Sequence, residues 1–206
     1  MDAKTIDPPQ TSITPDNIPS QLKQLNCFIR WRYFNDANEP TKQKKLPVDS
    51  QLKPCAYNHE SSFLSFNEIV NELDESDVQL GLSLGSEGLR LQDNNDLYLW
   101  CIDFDGFADI DSKNVDSGSA NYFDKWPSYT EISPSGTGFK QFILSNKKPE
   151  SKSKIAFSPS NFAKDYPDIK KYQDRAVEIF SRGLFLAMTG DRYNDKMLEL
   201  AVLNES

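Results

Sequence analysis

Two aspartates at the end of an apolar segment are the first candidates for chemistry in this sequence. Asp103 and Asp105 close the segment Leu97–Asp105 (LYLWCIDFD), whose composition is typical of a buried β-strand. Because side chains alternate along a strand, we expect both aspartates on one face. Adjacent carboxylates repel each other unless a cation or a proton lies between them, and hard oxygen ligands suit Mg²⁺ or Mn²⁺. The spacing alone fits either a metal site or a chance recurrence among 31 acidic residues.

A glycine-rich segment further along the chain is the second candidate. Ser133, Ser135, Gly136 and Gly138 lie in the segment SPSGTG, which predicts a tight turn with accessible backbone N–H groups. Such a turn can hold phosphate oxygens, and Lys140 at its exit adds a positive charge. The Walker pattern GxxxxGK[ST] is absent, so the segment fits either a phosphate-binding turn or a plain hairpin turn.

Three further charged residues are candidates for the same site. Glu178 lies in the middle of the apolar segment Ala176–Phe180, so it is either a third carboxylate ligand or a strand residue that faces solvent. Glu131 comes just before the glycine-rich turn and is a rival for the role of third acid. Arg182 follows the apolar segment and either binds an anion or lies in water.

The rare residue types exclude several classes of site. His59 is the only histidine, which excludes an HExxH protease site, a three-histidine zinc site and the two-histidine metal site of a replication-initiator nuclease. Cys27, Cys55 and Cys101 form no CxxC pair, and an odd number of cysteines argues against a disulfide framework. We therefore expect a cytoplasmic protein without a structural zinc site.

The net charge of −8 argues against nucleic-acid binding when it is taken alone, because affinity for phosphate backbones comes largely from lysine and arginine. The charges are segregated along the chain, however. Residues 23–53 and 147–171 are basic, whereas residues 60–124 are strongly acidic. This pattern fits local positive fields on either side of an acidic site, or charges scattered over a solvated surface.

The residue patterns predict strands with a few helices between them. Strands are predicted at residues 27–34, 78–84 and 97–105, as a hairpin of 129–133 with 139–144, and as a pair of 176–180 with 184–189. Helices are predicted at residues 18–25 and 61–73, near Tyr122, and from 196 to 203. A loop is predicted at 35–47, and a polar connection with modest helical content at 145–171. Because strands dominate, the predicted fold class is α+β with a mostly antiparallel sheet.

The length predicts one compact domain with additional segments at its ends. Residues 1–17 are polar and rich in proline, so we expect a disordered leader there. Residues 18–195 are predicted to form the folded domain, and residues 196–206 to begin a C-terminal helix that leads to a further domain. The sequence has no run of about 18 apolar residues, so we expect no membrane partner.

Taken in order, these segments resemble the primase-polymerase domains of the archaeo-eukaryotic primase superfamily, in particular those of phages and plasmids. The resemblance extends over about residues 18–190. It is carried by the ordered motifs Ile18-Pro19, Ile29-Arg-Trp31, Lys45-Leu-Pro47, Ser65-Phe-Asn-Glu68, Gly81-Leu-Ser-Leu-Gly85, IDFD, YTEISPSGTGFK, VEIF and LFLAMTG. It implies an RRM-like, mostly antiparallel catalytic sheet with flanking helices beside a smaller N-terminal α/β part.

The resemblance also implies an activity and roles for the candidate residues. The activity is that of a DNA primase or DNA polymerase, which transfers nucleotides from nucleoside triphosphates onto a strand paired with a single-stranded DNA template. A primer strand and a helicase are further implied partners. Asp103, Asp105 and Glu178 would ligate two Mg²⁺ or Mn²⁺ ions. The nucleotide would be bound by the residues Ser133, Ser135, Gly136, Gly138, Lys140 and Arg182.

The chain departs from the commoner family pattern at one position of this site. Many members of the family have a histidine where this chain has Lys140, although lysine occurs in some relatives. Lysine is a competent phosphate ligand, so the departure is compatible with catalysis.

Two other functions fit the same residues. A catalytically degenerate primase-like module would recognise an origin or a partner protein without synthesis, although the presence of all three acids argues against it. A metal-dependent nuclease can use a similar carboxylate site, but a phosphate-binding turn is more useful to a nucleotide polymerase. Metal-dependent nucleotide binding would discriminate a polymerase from a degenerate module.

Overall fold

The protein folds into two sheets that are mostly antiparallel, which confirms the predicted α+β class. The computed structural model describes residues 13–39, 42–73, 77–91, 96–108, 117–150, 154–157, 176–195 and 198–203. Within these residues the strand pairings are antiparallel, apart from the parallel pairing of the last strand with the seventh.

In chain order the described strands are β1 (Phe28–Asn35), β2 (Gln43–Val48), β3 (Gln79–Ser83), β4 (Arg90–Leu91), β5 (Leu97–Asp105), β6 (Thr130–Ile132), β7 (Phe139–Ser145), β8 (Lys154–Phe157), β9 (Ala176–Phe180), β10 (Phe185–Ala187) and β11 (Ala201–Leu203). The described α-helices are α1 (Ser20–Lys23), α2 (Phe66–Leu73) and α3 (Ser117–Lys125). The smaller sheet has the order β10-β3-β1-β2. The larger sheet has the order β11-β7-β5-β9-β8, with β4 beside β5 and β6 beside β7.

A shared apolar core holds the two sheets together. Leu99, Cys101 and Phe142 of the larger sheet belong to the same buried cluster as Phe28 and Leu82 of the smaller sheet. Burial of apolar surface of this kind is the main favourable term in folding. One face of the larger sheet is therefore turned toward the smaller sheet.

Helix α3 covers the opposite face of the larger sheet. Its Phe123 is fully buried and packs edge-on against Phe104 of β5 and Phe139 of β7, with ring centroids 5.2 and 5.5 Å apart. Strand β5 is thus packed on both sides, which explains why its sequence is apolar at most positions.

The predicted loop over residues 35–47 is wrong in its second half, where β2 pairs with β1. Pro47 lies opposite Trp31, and Lys45 lies opposite Tyr33. Proline is tolerated in this strand because β2 is at the edge of the smaller sheet. The pairing brings Lys45 to the same face as Trp31.

The predicted pairing of residues 176–180 with 184–189 is also wrong. Strand β9 lies between β5 and β8 in the larger sheet, whereas β10 pairs with β3 in the smaller sheet. Between the two strands Gly183 has a φ of 77° and donates its N–H to the carbonyl oxygen of Gly85 at 2.7 Å. The chain therefore crosses from one sheet to the other instead of turning back in a hairpin.

At the N-terminal end the structured part begins earlier than predicted. Residues 1–12 of the predicted leader lie outside the described residues. Thr14 donates its N–H to the carbonyl oxygen of Thr189 at 2.7 Å, and Asn17 donates its side-chain N–H to that of Gly190 at 3.1 Å. These bonds tie the start of the described chain to the segment after β10.

At the C-terminal end the predicted helix over residues 196–206 is wrong at Ala201–Leu203, which form β11. This strand pairs in parallel with β7, whose outer edge supplies the backbone hydrogen-bond partners. None of the described helices has both the length and the apolar character needed to cross a membrane.

Candidate active site

A row of charged residues crosses neighbouring strands of the larger sheet. In β9, β5, β7 and β6 the residues that face each other are Glu178, Asp103, Lys140 and Glu131. Residues directly opposite each other in antiparallel strands project to the same face. An isolated bridge places Arg192 opposite Glu131, at the end of this series. We call these five residues the charged row.

The charged row lies on the face that packs against the smaller sheet, near the end of β5. Cys101 is fully buried in the shared core, Asp103 is half-buried, and Asp105 is exposed. The apolar part of β5 is thus buried in the core, and both carboxylates lie at the end of the strand that approaches solvent. Their position on one face follows from the alternation of strand side chains.

An ion pair joins the two central residues of the charged row. The Lys140 ammonium lies 2.7 Å from a carboxylate oxygen of Asp103, and the side chains are 10% and 21% exposed. Burial alone lowers the pKa of Lys140, but the nearby Asp103 carboxylate outweighs this effect and the pKa is raised. Lys140 is therefore a charged lysine bound to one of the three predicted metal ligands.

Glu131 is fully buried and accepts three hydrogen bonds. The donors are the hydroxyl of Tyr129 at 2.8 Å and the backbone N–H groups of Thr189 and Gly190, each at 3.0 Å. These bonds hold the segment after β10 against β6. The carboxylate of Glu131 is thus part of a hydrogen-bond network that stabilises the fold.

The register distinguishes the two rivals for the third acid. Glu178 lies directly opposite Asp103, whereas Lys140 lies between Glu131 and Asp103. Glu178 is also half-buried, while Glu131 is closed off from solvent. The geometry favours Glu178 as the residue that shares a cation with Asp103.

The buried Glu131 carboxyl should make the stability of the fold depend on pH. Burial raises its pKa from 4.5 to about 7, against the opposing hydrogen bonds and the charge of Lys140. The folded protein therefore binds this proton more tightly than the unfolded chain does. The resulting stabilisation is fully present below pH 4.5 and is lost as pH rises through 7. It amounts to up to about 3 kcal/mol.

Urea unfolding of the wild type and of Glu131→Gln between pH 4 and pH 8 would measure this effect. Glutamine does not titrate, so the difference in unfolding free energy between the two proteins should change across this window. A difference that stays constant with pH would assign the pH dependence to other groups.

The SPSGTG turn forms a compact cluster of hydroxyl groups. The Ser133 and Ser135 hydroxyl oxygens are 2.9 Å apart, and those of Ser135 and Thr137 are 2.8 Å apart. The backbone is closed by N–H donation from Gly136 to the Ser133 carbonyl and from Ser133 to the Gly138 carbonyl, both at 2.9 Å. The turn presents hydroxyls that are suited to phosphate oxygens, at the start of the strand that carries Lys140.

The two glycines of the turn are required for different reasons. Gly138 lies against the end of β5, where an added Cβ would come within 2.4 Å of the Phe104 carbonyl oxygen and 3.3 Å of the Asp105 Cα. Gly136 has a φ of 74°, and an added Cβ there would meet nothing within 4 Å. Only Gly138 therefore sets the distance between the turn and the acidic end of β5.

Gly138→Ala should move the turn away from Asp105. We expect a loss of about 1–3 kcal/mol of stability from overpacking and a weaker affinity for nucleotides. Gly136→Ala is the matched control, because it introduces backbone strain of about 1 kcal/mol without a clash. Thermal unfolding and nucleotide titration of both variants would test this. An equal loss of nucleotide affinity in the two variants would contradict the role assigned to Gly138.

Arg182 does not join the charged row. Its guanidinium lies 3.3 Å from the Glu87 carboxylate and donates to the Glu150 carbonyl oxygen at 3.5 Å. It follows β9 at the end away from Asp105, because Phe180 pairs with Cys101 and Ala176 pairs with Asp105. The structure thus places Arg182 in a surface ion pair rather than beside the turn.

The acidic residues do not form a closed metal cage. Among the described residues, no three histidine, cysteine or acidic side chains are grouped so that they could hold a metal ion. However, Mg²⁺ commonly takes only one or two protein carboxylates and completes its coordination with water and substrate phosphates. Asp103 and Glu178 on adjacent strands, with Asp105 further along the same face, fit an ion of this kind.

The structure adds three residues to which the sequence analysis gave no role in the site. Thr137 extends the series of hydroxyls in the turn. Arg192 ends the charged row, and its Nε is buried without a hydrogen-bond partner among the described residues. Lys45 lies close enough for the charges of Asp103, Asp105 and Lys140 to act on its ammonium. The alternation of hydroxyls at 133, 135 and 137 is a signal that could have revealed Thr137.

Comparison of the sequence with protein-family models and with curated proteins finds no match. The charged row and the turn beside it are therefore the features on which a function for this chain has to be based.

Proposed function

We propose that this chain is the catalytic domain of a metal-dependent DNA primase-polymerase of a phage or plasmid. It would transfer nucleotides from nucleoside triphosphates onto a strand paired with a single-stranded DNA template. The observation that carries this proposal is the charged row: residues from segments far apart in the sequence, Asp103, Lys140 and Glu178, meet in one register beside the SPSGTG turn.

This combination of groups suits nucleotidyl transfer. Asp103, Asp105 and Glu178 would hold Mg²⁺ or Mn²⁺, which stabilises negative charge on the α-phosphate and on the leaving pyrophosphate. The hydroxyls and N–H groups of the turn would orient the triphosphate. Lys140 would release Asp103 and bind a phosphate oxygen instead. Little acid–base chemistry by side chains is needed, which fits a site without histidine.

The charge distribution is compatible with a nucleic-acid partner. The basic residues of β1 and β2 lie in the smaller sheet, beside the acidic site on the larger one. Basic residues of these strands would contact the backbone of the single-stranded template. A primer strand and a helicase are the further partners that this function implies, in a cytoplasmic setting.

A single assay tests the proposal. The full chain is incubated with labelled nucleotides, Mg²⁺ or Mn²⁺, and single-stranded templates with or without a primer. We expect incorporation that depends on both the metal and the template. If the folded protein binds nucleotides with metal but incorporates none on either template, the polymerase proposal is wrong.

A binding module without catalysis is the second candidate. It is favoured by one observation, the ion pair in which Lys140 already neutralises Asp103. Such a module would bind DNA or a partner protein, and its DNA affinity would not depend on Asp103. Template binding by Asp103→Asn that equals that of the wild type, together with absent synthesis by the wild type, would support this candidate.

A further inference from the structure

The segment after β10, residues 189–193, runs along the outer edge of β6. Ile132 donates its N–H to the carbonyl oxygen of Asp191 at 2.7 Å, and Tyr193 donates its N–H to that of Thr130 at 2.9 Å. Strand β6 has three residues, and β7 is the strand that pairs with it in the described part of the chain. Because a pair of short strands is only marginally stable by itself, the segment after β10 is a necessary second neighbour for β6.

Thr189 joins this segment to the residue that precedes the SPSGTG turn. Its hydroxyl donates to the carbonyl oxygen of Ile132 at 2.7 Å and accepts the N–H of Asp191 at 3.1 Å. Its own N–H donates to the Glu131 carboxylate at 3.0 Å, and the residue is closed off from solvent. Since Ser133 follows Ile132 directly, these bonds hold the backbone at the point where the turn begins.

The N-terminal part of the described chain holds the same segment from its other side. Thr14 donates its N–H to the Thr189 carbonyl oxygen, and the Asn17 amide donates to that of Gly190. An added Cβ at Gly190 would come within 2.1 Å of the Thr14 carbonyl oxygen, so the two backbones are in direct contact. Thr189 is therefore bonded both to β6 and to the N-terminal part, which restricts local opening.

The other end of the turn is held by the larger sheet. Gly138 lies against the Phe104 carbonyl at the end of β5, and Lys140 follows it on β7. The turn thus has two supports, one from β5 at Gly138 and one from Thr189 at Ile132. Hydroxyl groups bind a phosphate well only when their positions are fixed before the ligand arrives.

We infer that Thr189 is a positioning residue for the nucleotide, which fixes the SPSGTG turn at the place where the triphosphate is bound. This inference rests on the proposed function and adds to it a residue that acts through Ile132. Asp103 and Glu178 lie on β5 and β9, which pair with each other independently of the segment after β10. Loss of the Thr189 hydroxyl should therefore weaken the binding of phosphates and leave the binding of metal ions unchanged.

The test compares Thr189→Val with Ser128→Ala in the full chain. Valine has the branched shape of threonine but lacks the hydroxyl. Ser128 is a buried residue whose hydroxyl also makes one donated and one accepted hydrogen bond, to the Phe142 carbonyl oxygen and from the Ala201 N–H. Each variant therefore loses the same kinds of bond, but the bonds of Ser128 lead to β7 and β11 instead of to the turn.

Calorimetry measures the binding of Mn²⁺ alone, and of dTTP and inorganic tripolyphosphate with Mn²⁺ present, while urea unfolding measures stability. We expect both variants to unfold at lower urea concentrations than the wild type. Thr189→Val should weaken dTTP and tripolyphosphate by about tenfold and change Mn²⁺ affinity by less than about twofold. Ser128→Ala should change all three affinities by less than about twofold. Thr189→Ser keeps the hydroxyl and should restore most of the dTTP affinity.

Several results would overturn the inference. They are dTTP affinity of Thr189→Val within about twofold of the wild type, an equal loss in Ser128→Ala, an equal loss of Mn²⁺ affinity, and no recovery in Thr189→Ser. If Thr189→Val does not fold, Asn17→Ala loosens the same segment from its other side and must weaken dTTP by about threefold. Failure of the folded wild type to bind dTTP at all would instead remove the proposed function, and this inference with it.

Discussion

Replacing Asp103 by asparagine should lower the rate of template-directed nucleotide incorporation by at least about 10³-fold. Asparagine keeps the size of the side chain but loses the charge that a metal ion requires. Asp105→Asn and Glu178→Gln should act in the same direction, because these carboxylates share the face of Asp103. Single-turnover incorporation with Mg²⁺ and with Mn²⁺ measures the effect. Near-normal rates for Asp103→Asn would show that no catalytic metal is bound there.

Stability measurements on the same variants separate a direct role from a folding defect. From the sequence alone, loss of one of two adjacent carboxylates is expected to relieve repulsion and to raise the melting temperature. From the structure we expect the opposite for Asp103, because the buried Lys140 would lose the negative charge of its partner. We expect a loss of up to about 3 kcal/mol for Asp103→Asn and almost none for the exposed Asp105→Asn.

The identity of the third acid can be tested in parallel. Glu178→Gln should reduce the rate of nucleotide incorporation but change the free energy of unfolding little, because Glu178 lies opposite Asp103 and is half-buried. Glu131→Gln should mainly reduce stability, since its amide cannot accept all three hydrogen bonds that the carboxylate accepts. A larger loss of synthesis in Glu131→Gln, at equal fractions of folded protein, would reverse the assignment.

Replacing Lys140 by methionine should weaken the affinity for nucleotide and strengthen the affinity for Mn²⁺. A charge-assisted contact with a phosphate contributes roughly 1.5–3 kcal/mol, so nucleotide affinity should fall by roughly 10- to 150-fold. Binding of Mn²⁺ without nucleotide should strengthen by about tenfold, because the ammonium would no longer occupy Asp103 and repel the ion. Calorimetric titrations of Mn²⁺, and then of nucleotide with Mn²⁺ present, measure the two affinities.

Controls for this variant follow from the same geometry. Lys140→Arg keeps the charge and should leave metal affinity close to that of the wild type. Lys140→His should recover part of the nucleotide affinity, more so at lower pH where imidazole is charged. If methionine, histidine and wild-type proteins bind nucleotide equally well, Lys140 has no place in the site.

The aspartates were predictable because their environment is local. Strand β5 has the predicted bounds, and its alternation alone sets Asp103 and Asp105 on one face. The SPSGTG turn was predictable for a similar reason, since glycine and serine fix the backbone of a tight turn within a few residues. These parts of the site depend only on neighbours in sequence.

The partners of Asp103 were not predictable from periodicity. The order of strands in the sheet and their register place Lys140 and Glu178 on either side of it, and both depend on packing between distant segments. Strand β2, which carries Lys45, was predicted as a polar loop, because Pro47 and its charged neighbours obscure a short edge strand. For Arg182 the sequence suggested a role that the structure does not support. It is close to Glu178 in sequence, but it follows the end of β9 that is far from the turn.

The pairing of β10 with β3 has a consequence for synthesis of the protein on the ribosome. Leu186 pairs opposite Leu82, so the outer edge of β3 remains without its neighbour until the chain has been made beyond Ala187. An unpaired strand edge on a nascent chain is a template for association with other chains. We therefore expect chains that terminate between β9 and β10 to aggregate, because the smaller sheet still lacks the strand that covers the edge of β3. Such chains would aggregate although they contain Asp103, Lys140 and Glu178.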